Sequence, residues 1–208
     1  FVTGQDKQNK SKQIRESWSQ YLGEEEEKEL IVVYFGGFKP PHRGHLAVVQ
    51  DYLDMPQVKR VYVLFGQKPR TNTDGDFYFH ADDTEKVWNL YLEKAGIGES
   101  VDVIPVSGSP AVFAAQMAFE DQFAGMNITP GFSPKEPSYG ERFTDIVNGL
   151  QKKFGEPKAT LKFVPSNVNM ENVSATKLRD AIADKDEEVV QNLIPDNINI
   201  EEFLSLFS

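Results

Sequence analysis

Two histidines lie three positions apart in a segment rich in glycine and proline, Gly36-Gly-Phe-Lys-Pro-Pro-His-Arg-Gly-His45. The glycines let the backbone approach a ligand closely, and the two prolines stiffen the turn. If a helix begins here, the rings of His42 and His45 face one spot, and the first N–H groups of the helix point the same way. Such an arrangement favours an anion. Because no acidic residue or third histidine lies nearby, it is a poor zinc site, and we predict no protein-bound metal.

A second segment with the chemistry of a phosphate site lies about 130 residues further along the chain, at Val173-Ser-Ala-Thr-Lys-Leu-Arg179. Either Ser174 or Thr176 can cap a helix or donate a hydrogen bond to a phosphate oxygen. The side chain of Arg179 presents a planar fork of donors that suits a β- or γ-phosphate. By itself, such a segment is more commonly an ordinary capped helix with an exposed arginine.

The elements that would hold these two segments alternate along the chain. Continuous apolar and β-branched runs predict buried strands, whereas apolar residues at helical spacing and capping residues predict helices. The predicted strands cover residues 30–35, 60–65, 101–106, 126–129 and 161–164. The predicted helices cover residues 44–53, 82–95, 141–154, 174–183, 189–193 and 201–207, and one more begins at Ser109-Pro110. Each chemical segment therefore follows a predicted strand and opens a predicted helix.

This alternation of strands and helices predicts an α/β fold. We expect a Rossmann-like, doubly wound parallel sheet of five strands with helices on both faces. Ligands bind such sheets outside the carboxyl ends of the strands, which is where both segments fall. Residues 30–208 should form this domain. Residues 1–29 should form a linker with an amphipathic helix at 11–22, and the acidic run at 24–27 is most simply a solvated spacer.

Composition excludes several classes of protein. Hydrophobic residues make up 39% of the 208 residues and charged residues 26%, which is typical of a globular chain and not of a disordered one. The formal net charge of −10 argues against a nucleic-acid partner, because phosphate contacts need clustered lysine and arginine. The absence of cysteine excludes disulfides and thiolate chemistry.

The hydropathy and the first residue of the chain give expectations about location and assembly. No apolar run approaches the roughly 20 residues that span a bilayer, so we expect a cytoplasmic protein without a membrane partner. No basic region followed by an apolar stretch opens the chain, which argues against a secretory signal. Because the chain begins with Phe1 and not with Met, we expect a processed product or a piece of a larger parent chain. Assembly into a homo-oligomer is a further alternative.

Both segments resemble known motifs. The pattern Gly36-x-Phe-x-Pro-x-His-x-Gly-His45 resembles the nucleotide-binding signature of the nucleotidyltransferase superfamily, which includes adenylyltransferases and cytidylyltransferases. The segment 173–179 resembles the Ile-Ser-Ser-Thr-x-x-Arg motif of the same superfamily, with Ala175 in place of the second serine. Two such motifs, each at the start of a helix, are far more specific together than either alone. The resemblance covers about residues 30–185.

The resemblance implies a reaction and a set of site residues. An acceptor phosphate would attack the α-phosphate of ATP or CTP, pyrophosphate would leave, and Mg²⁺ would come with the triphosphate. The implied catalytic contacts are His42, His45, Arg179 and Lys39. The implied nucleotide-binding residues are Gly36, Gly37, Phe38, Gly44, Ser174 and Thr176. The implied acceptor-binding residues are Lys68 after the second strand, and Ser133, Lys135 and Arg142 in and after the loop 130–140. A solvated surface lysine is an equal interpretation of Lys68.

The sequence motifs are compatible with more than one acceptor. The Pro-Pro-His-x-Gly-His form is similar to the nicotinamide mononucleotide adenylyltransferase branch, which would place the protein in NAD biosynthesis. That branch often has arginine at the position of Gly37, so a cytidylyltransferase acting on a sugar or polyol phosphate is the alternative. The 174–179 segment resembles phage-encoded members, which would place the protein in a host cytoplasm or a virion. A non-catalytic nucleotide-binding or virion-associated module is a third hypothesis, although intact His42, His45 and Arg179 argue against it.

Overall fold

The structure, a computed structural model, describes residues 28–132, 138–168 and 173–207. Three predicted features lie outside the described residues: the amphipathic helix at 11–22 and the candidate ligands Ser133 and Lys135.

A parallel sheet of five strands forms around the most apolar run of the sequence. In chain order, the strands of the described residues are β1 (Leu30–Gly36), β2 (Val58–Gly66), β3 (Arg70–Thr71), β4 (Tyr78–Phe79), β5 (Val101–Val106), β6 (Asn127–Pro130) and β7 (Thr160–Leu161). The main sheet has the order β5-β2-β1-β6-β7, and its neighbours all pair in parallel. The chain adds strands on one side of β1 and then on the other. The carboxyl ends of β1 and β6 therefore form a topological switch point, where ligands bind sheets of this kind.

Helices connect the strands of the main sheet and continue after its last strand. Those of the described residues are α1 (Arg43–Leu53), α2 (Ala81–Ala95), α3 (Pro110–Met117), α4 (Ser138–Phe154), α5 (Ala175–Asp184), α6 (Glu187–Leu193) and α7 (Ile200–Leu204). Short polar side chains cap three of them, because the oxygens of Ser174, Asp186 and Asn199 accept hydrogen bonds from backbone N–H groups of the first turn. Gly96 ends α2 in the left-handed conformation, with φ of 68°.

The helices pack on both faces of the sheet and produce two apolar cores. Side chains of β1 alternate between them, with Val32 and Tyr34 in the core under α1, α2 and the helices after β7. Ile31 and Val33 lie in the core under α3 and α4. Both faces of β1 are thus buried, which explains why its sequence is continuously apolar and not alternating. The predicted Rossmann-like, doubly wound sheet with helices on both faces is confirmed.

One local prediction was wrong, and one element was missed. The last strand of the sheet covers only Thr160–Leu161 and not 161–164, because the Val164 N–H donates to the Thr129 hydroxyl at 3.1 Å instead of extending the ladder. Its partner strand β6 also ends in Pro130, which has no N–H to donate. The hairpin of β3 and β4 was not predicted at all, since each of its strands has two residues.

Candidate functional site

The segment between β1 and α1 forms a tight turn over the end of β1. Phe38 has a positive φ of 43°, and its ring folds back against Gly36. A Cβ atom at Gly36 would lie 3.0 Å from Phe38 Cζ, so a larger residue at this position would push the Phe38 ring away. Gly37 faces open space, and Gly44 is buried within α1. This turn places His42 at the N-cap of α1 and His45 in its first turn.

The rings of the two histidines stack on each other at the start of α1. Their centroids lie 3.7 Å apart with an interplanar angle of 21°. The His42 backbone N–H donates to His45 Nδ1 at 3.1 Å, so the neutral ring of His45 carries its proton on Nε2. Burial, followed by the charge of Arg43, lowers the pKa of His42 to about 4, and burial holds the pKa of His45 well below its ordinary value. Both rings are therefore neutral at pH 7.

Phe38 lies in the core beneath this pair, with only 5% of its surface exposed. Its ring meets His45 edge-on at 4.9 Å between centroids, and it also contacts Tyr34 at 4.7 Å and Trp88 at 5.6 Å. These contacts fix the plane of the His45 ring. The structure thus places Phe38 under the histidines as a support for them.

The second motif segment reaches the first through Arg179 on α5. Its Nε donates to the carbonyl of Thr71 at 2.6 Å, and its Nη1 donates to the carbonyl of Lys39. Its Nη2 donates to the hydroxyl of Thr176 at 3.0 Å. The Ser174 hydroxyl caps α5 by accepting from the Thr176 N–H at 3.2 Å. The structure therefore brings together the two predicted segments, and it fixes the guanidinium of Arg179 against the histidine loop.

A cavity of about 490 Å³ opens beside this junction at the carboxyl edge of the sheet. Four basic side chains line it: Lys39, Lys68, Arg70 and Arg142. None of the other described residues that line it is acidic. The backbone of Gly36, Gly37 and Gly66 contributes to the floor. Lys68 and Arg142, which the sequence assigned to the acceptor, thus line one cavity.

Lys39 lies in this cavity and not beside the histidines. Its ammonium donates to the carbonyls of Gly66 and Lys68, and only 3% of the residue is exposed. Burial, followed by the charge of Arg70, lowers the pKa of Lys39 to about 8. Among the described residues, no acidic side chain forms an ion pair with it. A buried lysine without a carboxylate partner can attract an anionic ligand through its positive charge.

Sequence reasoning missed the β3–β4 hairpin, which contacts both halves of the site. The hairpin supplies Arg70 to the cavity, and the carbonyl of the next residue, Thr71, holds Arg179. Asp180 on α5 ties the hairpin down, because its carboxylate accepts from the N–H and the hydroxyl of Thr73 at 2.7 and 2.8 Å. The available signal was the Asn-Thr-Asp-Gly run that ends at Gly75, which is typical of a turn.

A buried tyrosine holds the two loops that leave β6 and β7. The Tyr52 hydroxyl accepts from the Phe132 N–H at 3.2 Å and donates to the Val164 carbonyl at 2.8 Å. The neighbouring Asp51 accepts from the Asn167 N–H at 2.8 Å. Helix α1 therefore carries the histidines at its start and fixes the far loops of the same sheet edge at its end.

Within residues 28–132, 138–168 and 173–207, no three His, Asp or Glu side chains stand together in a way that could hold a metal ion. None of the helices described there is both long and apolar enough to cross a membrane.

Solved structures share this fold, whereas no protein-family model and no curated protein matches the chain. Two structures of a bifunctional NMN adenylyltransferase/ADP ribose pyrophosphatase from Francisella tularensis align with TM-scores of 0.51 and 0.52 at 17% identity. The second of them contains AMP and a manganese ion. Each alignment covers 86% of this chain and 49% of the other, so this chain spans about half the length of the Francisella protein.

A third structure, Thermotoga maritima TmcAL bound with α-thio ATP, aligns at 12% identity and a TM-score of 0.49. That alignment covers 86% of this chain and 55% of the other. The two Francisella alignments show that this chain shares the fold of the aligned part of that protein.

Proposed function

We propose that the protein is a nucleotidyltransferase that moves the adenylyl group of ATP to a phosphorylated acceptor, a mononucleotide of the nicotinamide type, and releases pyrophosphate. The hydrogen bond from Arg179 Nη1 to the carbonyl of Lys39 carries this proposal, because it joins two motif segments that are 140 positions apart. The arginine of an ordinary capped helix would not be expected to donate a hydrogen bond to the segment that carries the histidines. The shared fold with an adenylyltransferase supports the same reaction.

In the proposed reaction, an oxygen of the acceptor phosphate attacks the α-phosphorus of ATP. The bond between that phosphorus and the oxygen bridging to the β-phosphate breaks, and pyrophosphate leaves with its electron pair. No proton has to be removed from the attacking oxygen, so catalysis consists of positioning and charge stabilisation. His45 donates from Nε2, the neutral His42 stacks beside it, and Arg179 supplies positive charge to the leaving pyrophosphate.

The Mg²⁺ that the resemblance implies does not fit a resident site built from the residues that the structure describes. The charged side chains among them that line the cavity are all cations, and no three of their His, Asp or Glu side chains stand together in a way that could hold a metal. Divalent cations of this class prefer carboxylate, phosphate and water oxygens. We therefore treat the ion as part of the substrate, bound to the triphosphate.

The cation-lined cavity supports a phosphorylated acceptor next to the triphosphate. Lys39, Lys68 and Arg70 approach from the ends of β1 and β2 and from the hairpin. A monophosphate with a charge of about −2 is the simplest ligand that three such cations would hold. Lys68 would meet it as a point charge, as its position after β2 predicts.

The test is release of pyrophosphate by the full 208-residue chain. The protein is incubated with Mg²⁺, each of the four ribonucleoside triphosphates, and a panel of acceptors that includes nicotinamide and nicotinate mononucleotides and polyol phosphates. We expect turnover with ATP and a mononucleotide, and an Arg179→Gln variant that remains folded should lose it. Preference for CTP with a polyol phosphate would favour the cytidylyl alternative. Absence of turnover across the whole panel would contradict the proposal and favour a binding module.

A further inference from the structure

We propose, on the basis of the function proposed above, that Tyr91 is a positioning residue for the two stacked histidines, and that Phe203 and Phe207 hold its ring in place. The observation behind the proposal is a hydrogen bond from the Tyr91 hydroxyl to the carbonyl of Pro41, the residue that precedes His42. None of the three aromatic residues belongs to either motif segment, so the motifs do not specify this part of the site.

The hydroxyl of Tyr91 is a polar group in the apolar core. Tyr91 lies on α2, its side chain is fully buried, and its hydroxyl donates to the Pro41 carbonyl at 3.2 Å. Burial raises the pKa of Tyr91 well above its ordinary value, so the hydroxyl keeps its proton and remains a donor. Phenylalanine would fill nearly the same space without the cost of burying a hydroxyl. What the hydroxyl adds to packing is therefore a fixed position for the Pro41 carbonyl.

The Pro41 carbonyl lies one residue before the hydrogen bonds of α1 begin. The carbonyl of His42 is the first of that helix, and it accepts from the N–H groups of His45 at 2.9 Å and Leu46 at 3.4 Å. Because the peptide unit between Pro41 and His42 is planar, a fixed carbonyl also fixes the His42 N–H. That N–H donates to His45 Nδ1 at 3.1 Å. The Tyr91 hydroxyl thus acts on both histidines through a single peptide unit, whose two hydrogen bonds polarise each other.

Two phenylalanines that follow α6 hold the ring of Tyr91. Phe203 on α7 stacks on Tyr91 with centroids 6.2 Å apart and an interplanar angle of 16°. Phe207, in the 3₁₀ turn that follows α7, meets Phe203 edge-on at 5.2 Å and contacts Phe79 at 5.1 Å. These separations are typical of favourable aromatic pairs. Phe79 pairs with Arg70 across the β3–β4 hairpin, so one aromatic cluster supports both the histidine segment and the hairpin that lines the cavity.

Helix α2 has further contacts with the histidine segment and with α7. Trp88 lies three residues before Tyr91 on the same face of the helix, and its ring meets Phe38 edge-on at 5.6 Å. At the end of α2, the ammonium of Lys94 pairs with the Glu202 carboxylate of α7 at 2.9 Å. Contacts at two points on each side fix the orientation of α2 as well as its distance from the histidines.

Tyr91→Phe tests the hydrogen bond, because it removes the hydroxyl and keeps the ring. With the full 208-residue chain, ATP and a mononucleotide acceptor, we expect kcat to fall about tenfold and the KM for ATP to stay within about twofold. The loss concerns the orientation of a donor in the transition state. Asp186→Ala is the control for stability, because it removes a helix cap of α6. A fall in kcat no larger than that of this control would overturn the proposal.

Phe207→Leu tests the support of the Tyr91 ring by the aromatic cluster. We expect kcat to fall about threefold, because leucine keeps apolar volume but loses the ring contacts. Phe119→Leu is the matched control: Phe119 pairs with Phe154 at 5.8 Å in the core under α3 and α4, and its loss should leave kcat unchanged. Circular dichroism confirms that all variants fold. Equal effects of the two leucine substitutions would overturn the role of the cluster.

The resonances of the histidine rings in NMR spectra give a readout that does not depend on turnover. The rings of His42 and His45 stack with centroids 3.7 Å apart, so a small displacement of either ring changes the ring-current shift of the other. Tyr91→Phe and Phe207→Leu should both move these resonances, whereas Asp186→Ala and Phe119→Leu should leave them in place. Unchanged resonances of both histidines in Tyr91→Phe would overturn the proposal whatever the kinetics show.

The outcomes also separate this proposal from the proposed reaction. If no triphosphate turns over but Tyr91→Phe still moves the resonances of the two histidines, the reaction is wrong and the positioning holds. If adenylyl transfer proceeds but neither kcat nor the resonances respond to Tyr91→Phe, the reaction holds and the positioning is wrong.

Discussion

The stacked histidines at the start of α1 are neutral at pH 7, so in the proposed transfer they would act as hydrogen-bond donors and not as charged groups. Burial keeps the pKa of His42 at about 4 and that of His45 well below its ordinary value. The backbone N–H of His42 occupies His45 Nδ1, which leaves Nε2–H free to point at a ligand. Positive charge at the junction comes from Arg179 instead, whose guanidinium lies between the two motif segments. Each residue type therefore has a separate task in the proposed transfer.

Substitution of His45 tests its role as a donor. His45→Ala should lower kcat/KM by about 10² to 10³, because a contact made mainly in the transition state is lost. His45→Asn should recover about tenfold, since its oxygen can accept from the His42 N–H and its amide can donate to phosphate. Steady-state kinetics with ATP measures both. His80→Ala is the control, because His80 begins α2 in the same way but lies outside the site. If Asn behaves like Ala, a general-base role is favoured.

The lowered pKa of Lys39 predicts a pH dependence of anion binding. Below about pH 8 the ammonium is charged and attracts an anion, and above it the charge is lost. The dissociation constant for sulfate, whose charge is constant in this range, should rise between pH 8 and pH 9.5, by up to about tenfold per pH unit. Calorimetry at several pH values measures this slope. Lys39→Met should bind more weakly and show a flat profile, whereas Lys68→Met should weaken binding and keep the slope. A slope retained in Lys39→Met would assign the titration to another group.

At the level of elements, the β3–β4 hairpin and helix α5 act as one unit. Arg179 and Asp180 are adjacent on α5, and they hold Thr71 and Thr73 of the hairpin respectively. The hairpin in turn carries Arg70 to the cavity. Two residues of one helix thus connect the histidine segment to the cavity through the hairpin.

Asp180 should act as a positioning residue for Arg179. Asp180→Ala should lower kcat/KM by about tenfold through a loosened hairpin, with little change in thermal stability, because its contacts are at the surface. Asp186→Ala is the matched control: that carboxylate caps α6, so its loss should lower stability and leave kcat/KM unchanged. The hydrogen bonds from Thr73 hold the pKa of Asp180 below its ordinary value of 3.8. The bonds between Asp180 and Thr73 should therefore persist above pH 3.8 and be lost as the pH falls through the lowered pKa. Equal kinetics in parent and Asp180→Ala would contradict the role.

Tyr52 should be a main source of rigidity for the loops after β6 and β7. Tyr52→Phe removes the hydroxyl that binds the Phe132 N–H in a buried position and the Val164 carbonyl in a partly buried one. We expect a loss of about 1–3 kcal/mol in the free energy of unfolding, measured by urea denaturation. Tyr78→Phe, at an exposed tyrosine of the hairpin, should change it by less than about 0.5 kcal/mol. A Tyr52→Phe variant as stable as the parent would show that water replaces the hydroxyl.

At the level of the whole molecule, the charge of the site is opposite in sign to the net charge of the chain. The chain carries a formal net charge of −10, yet the charged side chains that line the cavity are all basic among the described residues. Screening limits long-range repulsion to about 8–10 Å at physiological ionic strength, so the nearby cations decide whether an anion binds. The acidic surface should mainly slow the approach of anionic ligands at low salt.

Removal of residues 1–27 should leave the chemistry intact. The first motif segment begins at Gly36, and the described residues that line the cavity begin at Phe35, so none of them falls in the removed part, while Lys28 is kept because its carbonyl accepts from the Asn127 side chain. We expect ATP affinity within about threefold of the parent, measured by calorimetry, and a changed oligomeric state is compatible with this outcome. A folded truncated protein that no longer binds ATP would show that residues 1–27 contribute to the site.

Much of the fold and part of the site could be predicted from short stretches of the chain. The strand at 101–106 and the helix start at Ser109-Pro110 follow from apolar runs and capping residues, which act locally. The pairing of His42 with His45 follows equally from their spacing at the start of a helix. Local preferences are sufficient here, because the interacting residues are close in sequence.

Only the tertiary structure decided which side chains meet across the sheet edge. Lys39 belongs to the histidine segment, yet its ammonium crosses to the carbonyls at the end of β2, which no spacing rule predicts. Arg70 and the tie between Thr73 and Asp180 depend on a hairpin too short to leave a hydrophobic pattern. The physical reason is the same in each case. A contact between distant residues depends on how β1, β2 and α5 pack together, and that packing is a property of the whole fold and not of any single segment.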